Sequence, residues 1–446
     1  MHLIHPRNAI FEFGGFRFDP LGGLECGGRA IHLAPLEHRA LEVLLSAGGR
    51  VVDKEVFAQA AWNGGTPSDY SIARCVHLLR RALARPDAPD VIETFHGRGY
   101  RIAVPVRQAP VAPAGESASN VRTGAPASVD AMQEARELAG RRTPEELAAA
   151  IRILAEVHGS DPGYAPALAL TADLRTYQAL RRHLRPLEVA PQILADATEA
   201  LALDPANSWA YAARGWARSL LGWDHSRGLA DLDRAIEIDP RYVRGRHLRW
   251  WVQCALGRED EALADANAAA RACPLSPWVA GPVAWSNLAT GRTGKALDAV
   301  HTAAERFPTV DIVQFFSAIA AACAGEHDEA IAAGERAVNL SRGSPMVMTV
   351  LAHAYANAGR RDEARMVLRW MQETPLGAPP SLLVPVHVAL GEPDAALAAL
   401  ARAGEERCPW LALTYTDPRN EPLRTRPEFA RLATVQRAPP AAVAAA

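Results

Sequence analysis

Residues 68–102 read SDYSIARCVHLLRRALARPDAPDVIETFHGRGYRI, and their pattern decides the fold of the first part of the chain. Over 68–85, Ile72, Cys75, Val76, Leu79 and Leu83 recur at helical spacing, which predicts one buried helix face. Tyr70, Arg74, His77, Leu78 and Arg81 then fall on the opposite face, with Arg80 beside it. This stretch holds four arginines against Asp69, a net charge of +3. Beyond the break at ARPDAP, residues 92–102 form two strand-like runs around Gly97 and Gly99, which predicts a hairpin.

Working outward, residues 10–33 (FEFGGFRFD, GLECGG, AIHL) read as short antiparallel strands broken by Gly and Pro. A helix is predicted over 35–46, with Leu36, Ala40, Val43 and Leu44 on one face, and Gly48-Gly49 ends it. A second short helix is predicted over 54–62. The order is therefore strands, three helices and a hairpin.

Four segments in that order, LAPLEHRALEVLL (33–45), GGRVVDKEVFAQAAW (48–62), SIARCVHLLRRAL (71–83) and IETFHGRGYRI (92–102), resemble the OmpR/PhoB-type winged-helix DNA-binding domain. The resemblance covers roughly residues 10–106. It implies that the third helix enters the major groove of double-stranded promoter DNA while the hairpin wing reaches the minor groove. Arg contacts guanine bidentately, Leu meets a thymine methyl and flanking arginines neutralise phosphates. The expected DNA-binding residues are Tyr70, Arg74, His77, Leu78, Arg80, Arg81, Thr94, His96 and Arg98, with Arg80 foremost as a phosphate contact. The resemblance also implies that the loop Trp62, Asn63, Gly64 and Gly65 touches RNA polymerase; packing of Trp62 against the third helix is compatible with that. Cys75 is read as core. Neither a receiver domain before the winged helix nor a membrane helix after it is apparent, so regulation by phosphotransfer or periplasmic sensing is not expected.

The whole chain has 446 residues, more than the ~250–300 over which one hydrophobic core grows, so at least two domains are expected. Its formal charge of −2 excludes a polycation, but charge is divided: residues 1–107 carry 13 basic against 11 acidic residues. Only Lys54 and Lys295 are lysines, which suggests a GC-rich bacterial genome. The six cysteines (26, 75, 254, 273, 323, 408) form no CxxC pair, which argues against a disulfide framework or a structural zinc, so no metal or cofactor is expected. With no secretory leader and no apolar run of membrane length, a cytoplasmic protein without membrane contact is expected.

Residues 108–129, rich in Pro, Ala, Ser and Gly, read as a linker. Beyond it the chain repeats. Gly222, Gly257, Gly291, Gly325 and Gly359 are 35, 34, 34 and 34 residues apart, Gly391 follows after 32, and Pro205, Pro240, Pro274 and Pro308 keep the same period. Ala262, Ala296, Ala330, Ala364 and Ala396 each lie five residues after a glycine. This resembles the tetratricopeptide repeat (TPR), whose helix pairs stack into a superhelix. The expected fold is thus an α/β winged-helix N-terminal domain (1–107), a linker (108–129), an all-α TPR superhelix (130–437) and a disordered tail (438–446). DPRNEPLRTRPEFARL (417–432) resembles the closing helix of such arrays.

Counting back from the repeat glycines puts Trp216, Trp251 and Trp285 at one equivalent position. Trp209 and Trp278 share another with Arg244, and His247 shares a third with Phe315. This suggests an aromatic groove for a protein segment or a small aromatic or acidic ligand; packing of the rings between repeats is the competing reading. GRTGK (291–295) lacks the upstream glycine and following Ser/Thr of a phosphate loop, and no catalytic constellation emerges, so no enzyme is expected. The expected function is a sequence-specific transcription regulator, an activator rather than a repressor, whose array binds a ligand or protein or pairs two copies. The alternatives are a TPR scaffold or adaptor in which DNA binding is secondary, and an antibiotic-pathway-type regulator with a helical activation domain.

Overall fold

The computed structural model describes residues 9–19, 23–27, 29–31, 33, 35–61, 67–85, 90–95, 98–110, 125–274 and 276–437. The chain divides into two compact units, one formed by the strands and first three helices, the other by the helices after Ala125.

In the first unit, β1 (Ala9–Phe13) and β2 (Phe16–Asp19) pair through a two-residue turn at Gly14 and Gly15, both at positive φ (53° and 82°). Such a turn matches the twist of the flanking strands and favours glycine at both positions. Phe11, Phe13, Phe16 and Phe18 alternate inward, whereas Glu12 and Arg17 face outward. With β3 (Gly23–Cys26), β4 (Arg29–Ile31) and β8 (Val106–Pro110) they make an antiparallel sheet of order β4-β3-β2-β1-β8. Strand β8 was not expected: it runs into the segment read as linker and pairs with β1 along its length. Pro110 lacks an N–H and is tolerated there because β8 is an edge.

Helices α1 (Pro35–Ser46), α2 (Lys54–Ala61) and α3 (Asp69–Ala82) bury Leu41, Leu44, Phe57, Val76 and Leu79 in one core with the phenylalanines. A second, three-stranded sheet of order β5-β7-β6 joins β5 (Val52–Asp53) to the hairpin β6 (Ile92–Phe95) and β7 (Gly99–Ile102). Gly99 is required by this crossing: a Cβ there would collide with the Val52 carbonyl.

The second unit is a superhelix of helix pairs. They run α4 and α5 (Pro126–Arg141, Pro144–Ser160), α6 and α7 (Ala165–Leu180, Pro186–Leu203), α8 and α9 (Ser208–Trp216, His225–Ile238), and α10 and α11 (Val243–Leu256, Glu259–Ala272). Next come α12 and α13 (Ala280–Ala289, Thr293–Arg306), α14 and α15 (Asp311–Ala324, His327–Leu340), α16 and α17 (Pro345–Asn357, Arg361–Gln372), and α18 and α19 (Pro380–Ala389, Pro393–Glu405). Gly257, Gly291, Gly325, Gly359 and Gly391 all sit at positive φ, where glycine ends a helix without Cβ strain. The residue after each closes the same turn, as in Arg292 N to Asn287 O at 2.7 Å and Arg360 N to Tyr355 O at 2.8 Å. The alanines five residues after these glycines are buried, so neighbouring helices meet closely there.

Gly222 differs. It has φ −95°, and the left-handed position belongs to Trp223 (φ 57°), which stands 34 residues before Gly257. A single π-helical turn, Ala217–Leu221, absorbs the extra residue of the first helix. Two buried carboxylates also follow the repeat. Asp231 accepts from both Nε and Nη2 of Arg214, and Asp265 likewise from Arg249, all at 2.7–2.9 Å.

The array coils enough for inner helices of non-adjacent pairs to meet. Arg181, just past α6, pairs with Asp311 of α14, and Arg244 of α10 pairs with Asp173 of α6 at 2.9 Å. After α19 the chain turns into this axis through α20 (Leu411–Thr414) and a 3-10 turn (Pro418–Leu423), and α21 (Pro427–Arg437) then packs on α19.

Candidate nucleic-acid interface

Ser68 caps α3 by accepting from Ser71 N at 3.2 Å, which sets where the helix begins. Its apolar stripe, Ile72, Cys75, Val76, Leu79 and Leu83, is buried. Burial, together with Glu37, pushes the Cys75 thiol up to about 11, as suits a core residue. On the other face Tyr70 is 73% exposed, Arg74, His77 and Arg81 are exposed, and Leu78 is half-buried between them. Spaced at i, i+4, i+7, i+8 and i+11, these side chains make one continuous stripe along the helix. Arg74 and Arg81 have no hydrogen-bond or carboxylate partner among the described residues, so their full donor sets face solvent.

Arg80 is placed otherwise than expected. Its Nε and Nη2 donate to the Ile92 carbonyl at 3.1 and 2.9 Å, and Nη2 also donates to Thr94 Oγ1 at 2.7 Å. The guanidinium thus ties α3 to β6, and Thr94 is its acceptor. Arg80 thus locks helix against wing with Nε and Nη2, and of its donors Nη1 is outside these three bonds. Arg85 is also engaged, donating to Gly14 O at 3.0 Å, and Arg101 pairs across the hairpin with Glu93 at 2.7 Å. Among the described arginines of α3 and the hairpin, Arg74, Arg81 and Arg98 are exposed and make no hydrogen bond or ion pair with described residues. The hairpin turn is held by β5 at its tip, where Lys54 N donates to Arg98 O at 2.8 Å.

The aromatic groove expected in the array does not exist as an open surface. Trp216, Trp251 and Trp285 are 0%, 3% and 2% exposed and belong to the main core of the superhelix. For Trp251 the cover is the returning C-terminal segment. Trp410 lies edge-on to Trp251 at 5.0 Å and 5.5 Å from Phe315, and its indole N–H donates to Leu180 O at 2.8 Å. Contact with three non-adjacent inner helices places that ring on the superhelix axis. Arg407 lies over the Trp223 ring, at 3.4 Å from its centroid.

His247 accepts from Trp251 Nε1 at 3.3 Å, and burial with Arg244 and Arg142 nearby lowers its pKa to about 3. Arg244 is bound to Asp173 and to Thr176 Oγ1 at 2.9 Å. Trp209 and Trp278 stay half-buried: Trp209 stacks on Tyr242 at 6.2 Å, and Trp278 meets Tyr177 edge-on at 6.3 Å. The array therefore sets Trp209 against Tyr242 and Trp278 against Tyr177, ties Arg244 to Asp173, and sends the other three tryptophans into the core.

Residues 28–102 match the family described as "Transcriptional regulatory protein, C terminal". The transcriptional regulator HilA of Salmonella typhi is 32% identical over 99 residues, which is 22% of this chain and 18% of HilA. The phosphate regulon transcriptional regulatory protein PhoB of Rhizobium meliloti is 37% identical over 76 residues, 17% of this chain and 33% of PhoB. The first unit is a winged-helix domain of the OmpR/PhoB type. The chain thus spans less than a fifth of the length of HilA. The helical unit is similar to TTC0263, a thermophilic TPR protein of Thermus thermophilus, at 22% identity and a TM-score of 0.35. That likeness covers 41% of this chain and 92% of TTC0263.

Two expected parts of the winged helix lie outside the described residues: Trp62, Asn63, Gly64 and Gly65 of the loop before α3, and His96 at the wing tip. Arg85 escaped the sequence reading because its acceptor, a carbonyl, lies 71 residues away. Among the described residues no helix is long and apolar enough to cross a membrane.

Proposed function

We propose that the chain is a cytoplasmic, sequence-specific DNA-binding transcription regulator, not an enzyme, and that it acts as an activator. The observation that carries this reading is the exposed stripe Tyr70, Arg74, His77, Leu78 and Arg81 on α3 of an OmpR/PhoB-type winged helix. Arg80 and Thr94 hold the wing against that helix, and Arg98 stands exposed beyond it. In this reading α3 enters the major groove, Arg74 and Arg81 supply base or phosphate contacts, and Leu78 supplies an apolar one. His96 and Arg98 reach the minor groove, and the loop 62–65 contacts RNA polymerase. The helical array is the effector part, where a protein or small ligand binds or two copies pair on adjacent half-sites. The alternative, a TPR scaffold or adaptor in which DNA binding is secondary, is separated from this reading by the DNA-binding test below.

Selection of bound fragments from genomic DNA by the full-length chain, followed by salt titration of the best fragment, tests the reading. Arg74→Ala and Arg81→Ala should each weaken binding and lower the slope of log K against log salt by about one if they contact phosphate. Binding without sequence preference, or unchanged in both variants, would overturn it.

A further inference from the structure

The face of the five-stranded sheet that points away from the core carries one row of charges across four adjacent strands. Strand pairing sets Arg107 of β8 opposite Glu12 of β1, Glu12 opposite Arg17 of β2, and Arg17 opposite Glu25 of β3. Directly opposed residues of antiparallel strands share a face, so the four side chains stand side by side with alternating sign. Phe11, Phe13, Phe16 and Phe18 take the other face into the core. Arg107, Glu12 and Arg17 are exposed and Glu25 is half-buried. Arg17 donates to Glu25 at 2.9 Å, whereas Glu12 and Arg107 make no hydrogen bond or ion pair with described residues.

Such a row is its own complement. A twofold axis laid along the strands, between β1 and β2, brings a second copy face to face with β8 over the partner's β3 and β1 over the partner's β2. Arg107 then meets the partner's Glu25, Glu12 meets the partner's Arg17, and the symmetry repeats both contacts. A twofold axis laid across the strands would set each charge on its own copy, so the signs select one of the two arrangements. The five strands hold three to five residues each. At about 4.8 Å between strands and about 3.4 Å per residue, the face offers roughly 300 Å². A stable dimer buries about 800 Å² a side, so this face does not hold two free copies and acts where something else keeps them close.

We propose that the row Arg107, Glu12, Arg17 and Glu25 is the contact between two copies of this chain bound to neighbouring DNA half-sites. Resting on the DNA-binding reading above, this pairing adds the symmetry of the site. An isologous contact relates the copies by a twofold axis, so their half-sites form an inverted repeat. DNA supplies the closeness that the small face lacks. The row shares no residue with the stripe on α3, so pairing and DNA contact do not compete. Exposed charge pairs are individually weak and screened by salt, so four of them give a modest cooperativity that declines as salt rises.

Electrophoretic titration of the full-length chain tests the pairing, using duplexes built from the genomic fragment it selects. The duplexes carry one half-site, two as an inverted repeat, or two as a direct repeat, with spacing varied over one helical turn. On the inverted repeat the second copy should bind about tenfold more tightly than a copy on the single half-site. Arg107→Glu and Glu25→Arg should each bring that ratio, taken within the same variant, down to about one. An equal mixture of the two variants should restore most of it, because the two reversed charges then face each other. If Glu25→Arg fails to fold for want of its bond to Arg17, Arg107→Glu alone carries the test, since Arg107 is bonded to no described residue. An equal gain on direct and inverted repeats, or an undiminished gain in Arg107→Glu, would overturn the pairing. So would single-site binding by the wild type with no gain on two sites, which leaves the DNA-binding reading standing. Failure to bind the single half-site would overturn both.

Discussion

Replacing Trp410 by alanine should remove the part that closes the axis of the superhelix. The ring is 4% exposed, edge-on to Trp251 and tilted against Phe315, and bonded through its N–H to a carbonyl 230 residues earlier in the chain. Truncating a buried tryptophan to alanine costs about 3–5 kcal/mol in lost burial and cavity formation. The hydrogen bond to Leu180 adds about 1 kcal/mol. The expected loss is therefore about 4–6 kcal/mol, comparable with the whole stability of a small domain. Neighbouring repeats stabilise one another mainly through contact, so the loss should fall first on the α18–α21 end and split the unfolding transition. Urea unfolding followed by far-UV circular dichroism would show an early phase absent from the wild type, and a hydrophobic dye would bind before it. Trp410→Phe retains the ring contacts and loses only the N–H, so it should cost about 1–2 kcal/mol. A loss below about 1 kcal/mol in Trp410→Ala, with no early phase, would refute the placement of this ring on the axis.

Other perturbations separate the remaining roles. Arg80→Ala removes three hydrogen bonds between α3 and β6 and should destabilise the winged helix by about 1–3 kcal/mol, measured as a fall in its melting temperature. An unchanged melting temperature would restore Arg80 as a free contact. Gly99→Ala drives a Cβ into the Val52 carbonyl and should detach β5 from the hairpin, abolishing DNA binding while the array's helical signal remains. His183 and His247 are both held below their ordinary value of 6.5, chiefly by burial, so unfolding takes up a proton at each when the pH lies below that value. The stability they contribute is complete above about pH 6.5 and is lost as the pH falls toward about 4. Urea midpoints should thus drop between about pH 7 and pH 5, and the double His→Gln variant should show a flatter profile.

Much of the fold was legible because local physics leaves a local mark. The apolar stripe of α3 shows in the sequence, since a helix buried on one face must repeat its apolar residues. Five of the six repeat glycines could be read for a similar reason: a left-handed helix end favours glycine, so the turn writes itself into the chain. Gly222 shows where that reading fails, because an inserted π turn moves the left-handed position onto Trp223 with no sign in the glycine spacing. The Arg214–Asp231 and Arg249–Asp265 pairs were legible in principle, since both members keep the repeat interval. Strand β8 was hidden in linker-like composition because its partner β1 lies at the other end of the domain.

By itself the sequence determined the order of the two units, the helix that presents Tyr70, Arg74, His77, Leu78 and Arg81, and the 34-residue architecture of the array. These follow from periodicity and turn chemistry, which act over a few residues. Only the tertiary structure decided which arginines are free to meet DNA and what the aromatic residues do. The committing partners of Arg80 and Arg85 are backbone carbonyls, which every residue carries and no spacing marks. The tryptophans of the array were read as a groove because repeat register tells which residues share a face, but not what covers that face. That is settled by a segment more than a hundred residues later, whose return into the axis buries Trp251 beneath Trp410.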